Sequence, residues 1–503
     1  MLDFVQNFPC FSIVLCMFAG IISSALKGKG AKILNICTLL AVTVMSAMVL
    51  LYVHGTGESY IYVMGTFPAP WGNELRVGAL EAVMALFFCV IMLLSLMGGE
   101  HKVQEEVEPE KLKLYYIMID LLMSSLLALI YTNDMFTAYV FVEINTISAC
   151  GLIMIRQWGR TIEAATRYMI MSLLGSGLLL MGLVFLYGLT GHLLMSNIHE
   201  QVVHIVAQGE YHIPLMVAIA LMCVGLAIKS ALFPFHNWLP DAYGYSTVAS
   251  AAILSSLVSK GYIFLLIKII YRVIGFDVIQ QSKIIHVLFV FGLAGMIMGS
   301  LSAIKENNIR RMIAFSSVAQ IGYIYMGLGL GTTAGMIASV FHILSHAATK
   351  SMLFISVSGL SEVSGDSTDF FVLTGAGYRH KTAGVAFTVG SLSMVGFPMF
   401  CGFTSKLLFA QAAVNGSRKM LPALIVLAVS TLLNAIYFMK TVIRIYTPVK
   451  AAGWKDKPFK NVKITDLPMN SLALICFVLL NLILGLGSEP LVALLNEGLK
   501  MFA

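Results

Sequence analysis

The chain has 503 residues, 58% of them hydrophobic and 11% charged, with a mean hydropathy of +0.88. Soluble domains carry nearer a quarter charged residues, so the solvent this chain suits is lipid, not water. Its formal net charge of +7 is scattered over many short loops with no long basic stripe, which excludes nucleic acid as a partner. The start Met-Leu-Asp-Phe has no basic leader, so the apolar stretch from Pro9 reads as a first span and not as a cleaved signal.

A bilayer-spanning helix needs roughly 20 apolar residues. That window predicts fourteen transmembrane helices, near 9–26, 33–53, 77–98, 114–132, 135–155, 164–189, 213–232, 246–273, 285–304, 309–330, 333–360, 383–413, 420–446 and 468–488. The stretch from Pro490 to Ala503 is short and reads as interfacial. With both termini outside, the inner loops hold nineteen Lys and Arg residues and the outer loops seven, counting Lys268 and Arg272 among the outer ones and Lys102 among the inner ones. The inner group includes Lys450, Lys455, Lys457, Lys460 and Lys463. This asymmetry orients the bundle.

Two spans are interrupted. The seventh carries Lys229, Pro234 and Pro240, and the twelfth carries Gly396, Pro398, Gly402 and Lys406. Proline removes a backbone donor and clashes with the preceding turn, and in lipid such a break survives only where protein or water satisfies the freed groups. Paired broken helices point to inverted repeats. The expected architecture is all-α: an N-terminal three-helix segment (1–113), two inverted five-helix repeats (spans 4–8 over 114–275 and 9–13 over 283–446), and a C-terminal helix and tail (447–503).

Charge inside a membrane is expensive and therefore informative. Glu143 sits mid-span in Tyr139-Val140-Phe141-Val142-Glu143, Lys229 precedes the first break, Lys260 lies deep in span eight, and Lys406 follows the second break. His342, His346 and Lys350 recur at i, i+4 and i+8, hence on one helix face. Lysine titrates readily when buried whereas arginine stays charged, and histidine relays protons near neutral pH. These residues form a candidate row of proton stations. Glu81 and Asp120 also fall in or near spans three and four; Glu81 is expected near a span end and Asp120 is expected to pair locally. The eight cysteines lie in or beside apolar runs without CxxC or Cys/His spacing, so they read as packing residues, and no metal or redox cofactor is expected.

Six segments carry a resemblance. They are Thr132-Asn133-Asp134-Met135-Phe136 leading to Glu143; Arg167-Tyr168 through Gly175-Ser176-Gly177; Lys229 to Pro240 with Asp241; Ile309-Arg310-Arg311 with Phe315-Ser316-Ser317; His342 to Lys350; and Gly402-Phe403-Thr404-Ser405-Lys406. In this order and spacing the chain resembles the antiporter-like subunits of respiratory complex I, of Mrp cation/proton antiporters and of membrane-bound hydrogenases. The resemblance implies that Glu143 and Lys229 form the proton-loading pair, Lys260 the central relay with His342, and Lys406 the exit toward the outside. It departs from the family at Gly78, where an aspartate is common, and in Ala242–Thr247, which lacks a second histidine and an Ala-Pro step.

The expected function is a proton-translocating subunit of a larger complex in a bacterial or archaeal inner membrane, driven by a partner subunit's electron transfer or by another ion's gradient. Sodium–proton antiport in an Mrp-type assembly is the alternative. A structural anchor for a membrane redox complex is the alternative of another class.

Overall fold

A computed structural model describes residues 2–67, 72–209, 211–415, 417–448, 461–463 and 465–502. Lys450, Lys455, Lys457 and Lys460 of the orientation count lie outside the described residues. The chain begins with a short helix α1 (Leu2–Val5), then α2 (Phe8–Ala25) and α3 (Gly28–Thr56). A two-stranded antiparallel hairpin follows, β1 (Tyr60–Val63) on β2 (Glu74–Val77), with Tyr60 opposite Val77. It then continues through α4 (Ala79–Glu106), α5 (Leu112–Tyr131), α6 (Met135–Met154), α7 (Gly159–Thr190), α8 (Met195–Gln208) and α9 (His212–Lys229).

After α9 the backbone leaves the helix for residues 230–238 and resumes as α10 (Leu239–Tyr245). The segments α11 (Val248–Ile253), a π-turn at Leu254–Val258, α12 (Ser259–Lys268) and a second π-turn at Ile269–Ile274 join into one rod. Beyond it come α13 (Phe276–Gln281), α14 (Ile284–Lys305), α15 (Ile309–Leu330), α16 (Thr333–Glu362), α17 (Ala376–Arg379), α18 (Lys381–Val395), α19 (Cys401–Val414), α20 (Met420–Ile445), α21 (Pro468–Leu486) and α22 (Ser488–Phe502).

Local chemistry sets many of these boundaries. Asp134 accepts from the Thr137 amide at 2.6 Å to start α6. Asn308 accepts from the Arg310 and Arg311 amides at 2.9 and 3.2 Å to start α15. Thr332 accepts from Gly335 at 3.0 Å to start α16. Each satisfies a donor the first turn would leave orphaned. Gly57, Gly191 and Gly331 close α3, α7 and α15 in the left-handed conformation.

Thirteen stretches among the described residues are long and apolar enough to cross a bilayer, and the protein is a multi-spanning α-helical membrane protein. The predicted twelfth span, 383–413, is two shorter helices, α18 and α19, with 396–400 between them. The all-α expectation holds, with the four-residue-per-strand hairpin as a small addition between α3 and α4. The loop expected over 191–212 also contains α8, whose Met195, Ile198, Val202 and Ile205 are buried along one face.

The rod of Val248–Ile274 and α16 are buried along their full apolar length, whereas α3 and α20 bury only 33% of theirs. The two buried elements are the centre of the bundle, and α3, α7 and α20 are among its outer helices, where Leu51, Ile170, Leu432 and Ile443 are exposed. Glycines let wall helices pack closely. A Cβ on Gly225 of α9 would lie 2.5 Å from the Gly175 carbonyl of α7, so these backbones touch without side chains between them.

Candidate ion-translocation site

Lys229 is the last residue of α9 and is fully buried. Its Nζ donates to Thr146 Oγ1 of α6 at 2.7 Å and lies 5.2 Å from the Tyr262 ring centre. Thr146 is three residues beyond Glu143, so both share a face of α6. Glu143 is partly buried, and its Oε1 has no hydrogen-bond partner. Its charge reaches Lys229, but the amine's hydrogen bond goes to the threonine. Around this pair, Tyr262 Oη donates to Asn145 Oδ1 at 2.9 Å and Asn145 Nδ2 donates to Ser125 Oγ at 2.9 Å.

Lys260 lies just past the first π-turn of the rod. A π-turn disturbs the regular carbonyl pairing, and Lys260 Nζ donates to the Ser255 carbonyl within that turn, with Ser259 Oγ at 3.4 Å. Facing the rod, α16 carries His346 and His342. Their rings stack at 5.8 Å between centres and 14° between planes. His342 Nδ1 hydrogen-bonds Ser405 Oγ of α19 at 2.7 Å, while His342 Nε2 and both His346 nitrogens have no partner. Lys350, one turn on, donates to the Ile313 carbonyl at 2.9 Å and to Ser316 Oγ.

Lys406 is partly buried. Its Nζ donates to the Met394 and Val395 carbonyls at 2.9 and 2.8 Å, so the amine caps the exposed end of α18 at the break. Gly396 makes this possible: its φ is +90°, and a Cβ there would sit 2.9 Å from Lys406 Cδ. The ring of Tyr323 lies 5.8 Å from Lys406 Nζ and stacks on His342 at 5.6 Å. The charges of Lys406, Lys260 and Lys350 all reach His342, and those of Lys260 and Lys350 reach His346. The structure therefore brings Lys260, His346, His342, Lys350 and Lys406 within charge reach of one another, while Lys229 lies against Tyr262 and Thr146.

Several buried polar groups escaped the sequence reading. Lys268 and Arg272, counted there as outer-loop cations, are buried. Lys268 Nζ donates to the carbonyls of Leu129, Ile130 and Thr132 at the end of α5. Arg272 pairs with Glu81 and donates through Nε to the Phe502 carbonyl at 3.0 Å. Neither cation lies in a loop, because α4, α5 and α22 cover them. Lys102, counted as an inner-loop cation, is buried too, and it pairs with Glu105 at 2.7 Å and Asp366 at 2.8 Å. A hydroxyl string, Ser95–Ser351–Ser256, joins α4, α16 and the rod at 3.0 and 2.7 Å.

At one membrane face, Asp241 binds Arg311 and Arg167. Nearby a cavity of about 500 Å³ is lined by Lys102, Glu106, Arg156, Arg310 and Asp366. Burial lowers the Arg156 pKa from its ordinary value, and the Glu106 carboxylate opposes that shift.

Residues 132–433 match the family model described as NADH:quinone oxidoreductase/Mrp antiporter, TM. The chain belongs to this family. It is 32% identical over 411 residues to an NADH-quinone oxidoreductase subunit N of Desulforudis audaxviator, covering 81% of this chain and 79% of that one. It is 28% identical to a putative antiporter subunit mnhD2 of Staphylococcus epidermidis, covering 94% and 90%. Among solved structures it superposes on a chain of the membrane-bound sulfane sulfur reductase, an archaeal respiratory membrane complex, with TM-score 0.87, 26% identity and coverage of 99% and 97%. The antiporter-family chain is thus an ion-translocating, multi-pass subunit of a multisubunit membrane complex, of the kind housed in bacterial and archaeal inner membranes. It carries a buried network of Lys, Glu, Arg and His.

Proposed function

We propose that this subunit carries protons across the bilayer along an axis running from Glu143 and Lys229, through Lys260, His346 and His342, to Lys406, with Lys350 as a side station. The observation that carries the reading is the pair of stacked imidazoles with unpartnered nitrogens, set within charge reach of Lys260 and Lys406. Neutral imidazole accepts a proton on one nitrogen and releases one from the other, and buried amines flanking it suit a relay whose occupancy a neighbouring charge shifts. In this reading Glu143 biases Lys229 from about one helical turn before Thr146, and the loading pair acts through charge with the threonine hydroxyl bound to the amine.

The two chain breaks fit the same scheme. Lys229 ends α9 before the 230–238 break and Lys406 follows the 396–400 break. They would be matching positions in two inverted five-helix repeats, 114–275 and 283–446, with both termini on the outer side. The subunit adds no redox centre, and a partner's electron transfer supplies the energy. The staphylococcal relative's name, a putative antiporter subunit, supports a second reading, antiport, with sodium as the exchanged ion we infer.

The test is the assembled complex in proteoliposomes carrying Lys229→Ala or Glu143→Ala. Loss of coupled proton uptake with normal assembly is expected from both. Wild-type uptake in both would overturn the axis. An imposed sodium gradient that drives proton movement in the wild type, and not in Lys229→Ala, would select the antiport reading.

A further inference from the structure

Outside the axis, a buried carboxyl has no cation paired with it among the described residues. Asp120 of α5 is fully buried, as are Asn35 of α3 and Cys16 of α2 beside it. Asn35 Nδ2 donates to Asp120 Oδ1 at 2.6 Å. The other two oxygens of this pair, Asp120 Oδ2 and Asn35 Oδ1, are both buried without a partner.

Among the described residues the surroundings offer no compensating charge. From α2 the carboxyl faces Cys16, and Gly20, whose Cβ would lie 3.6 Å from Asp120 Cβ. From α3 it faces Asn35, with Lys32 about a turn away and already paired with Glu100 of α4. Cys89 of α4 is within reach of Cys16 and is turned to Ser46. On its own helix Ser124 is committed to the Ile13 carbonyl at 3.0 Å. From α6, Asn145 is turned to Ser125. Lys268 of α12 is bound to the far end of α5.

An ionised carboxylate held there by a single amide would carry a large desolvation penalty. A proton on Oδ2 changes this. The hydroxyl becomes a donor, Asn35 Oδ1 is the acceptor on the same amide, and acid and amide close a ring of two hydrogen bonds that satisfies both orphaned oxygens. Asn35, though not Asp120 itself, opens onto a cavity whose wall is largely aliphatic. This cavity of about 370 Å³ is lined by Asn35, Tyr115 and Tyr116, with the Lys32–Glu100 pair also on its wall.

We propose that Asp120 and Asn35 form a proton-binding site separate from the lysine–histidine axis, filled through this cavity. The carboxylate takes one proton on Oδ2 to become the acid, and returns it to water in the cavity on release. The site does not depend on the transport reading above, and its test measures no transport.

The experiment is infrared difference spectroscopy on the assembled complex. A carbonyl stretch of a protonated carboxylic acid is expected at neutral pH. It should shift when aspartate is labelled with carbon-13, vanish in Asp120→Asn, and move in frequency in Asn35→Leu. The isotope arm uses the wild-type protein, so it stands even where a variant fails to assemble. Absence of a labelled acid band at neutral pH would overturn the proposal, as would a band that appears only when sodium is withdrawn. Filling the cavity with Leu93→Trp should slow the deuterium shift of the band by at least about tenfold, since bulk at a packed wall closes the route; an unchanged rate would sink the route.

Discussion

Replacing Lys406 separates its two roles, support of a broken helix and exchange of a proton. The amine satisfies two carbonyls at the end of α18, at 2.9 and 2.8 Å. Lys406→Met strands both, at about 1–3 kcal/mol each. The residue is only partly buried, so the sum falls toward the lower end, roughly 2–3 kcal/mol. Lys406→Arg keeps donors for the same carbonyls. Its guanidinium has a pKa above about 12, so at pH 7 at most about one molecule in 10⁵ is neutral. The arginine variant should therefore assemble and melt near the wild-type temperature while proton uptake in proteoliposomes falls at least about tenfold. The methionine variant should lose stability as well as uptake. Wild-type uptake by Lys406→Arg would refute the claim that this position must give up a proton.

Other perturbations probe the frame around the axis. Arg272→Met leaves Glu81 buried without its partner and should cost about 3–5 kcal/mol, part of which Glu81→Gln in the same chain should restore; equal melting of single and double variants would contradict this. Gly225→Ala places a Cβ 2.5 Å from the Gly175 carbonyl and 2.9 Å from the Leu179 amide nitrogen, so α7 and α9 must part at about 1–3 kcal/mol. Gly177→Ala, with nothing within 4 Å, is the neutral control in the same thermal assay. His380 accepts from the Ala383 amide at 3.3 Å as the cap of α18, and burial lowers its pKa from the ordinary value. A basic group depressed on folding supports the fold above its unfolded value, about pH 6.5, and loses that support as pH falls toward the depressed value. The hydrogen-exchange protection of the Ala383 amide should therefore drop below about pH 6, and His380→Asn, which caps without titrating, should flatten that profile.

The helices were largely legible because their signals are local. Span 309–330 coincides with α15, bounded by the Asn308 cap and the Gly331 stop, and 333–360 differs from α16 by two residues. Contacts made across the chain were not legible. Lys268 and Arg272 look like loop cations until α4, α5 and α22 close over them. Asn35 and Asp120 are 85 positions apart, and nothing in either neighbourhood announces the other. The hairpin was hidden by its brevity, with four residues per strand. The helix α8 did carry a signal, apolar residues at Ile198, Val202 and Ile205, but a window tuned to membrane spans passes over an amphipathic stretch of fourteen residues. The candidate axis was visible as residue types and spacing. Its hydrogen-bond partners were not, since the acceptor of Lys260 is a main-chain oxygen exposed by a π-turn.

That last feature recurs. Lys260, Lys268, Lys350 and Lys406 each rest their amine on main-chain oxygens. A carbonyl accepts from an ammonium and, more weakly, from a free amine, which retains two N–H bonds. Such a cradle fits either charge state without rebuilding, so gaining or losing a proton need not drag the side chain to a new position. A carboxylate partner would grip the charged form and resist its discharge. Polypeptide oxygens hold the nitrogen in place while leaving its ionisation to be decided by distant neighbours.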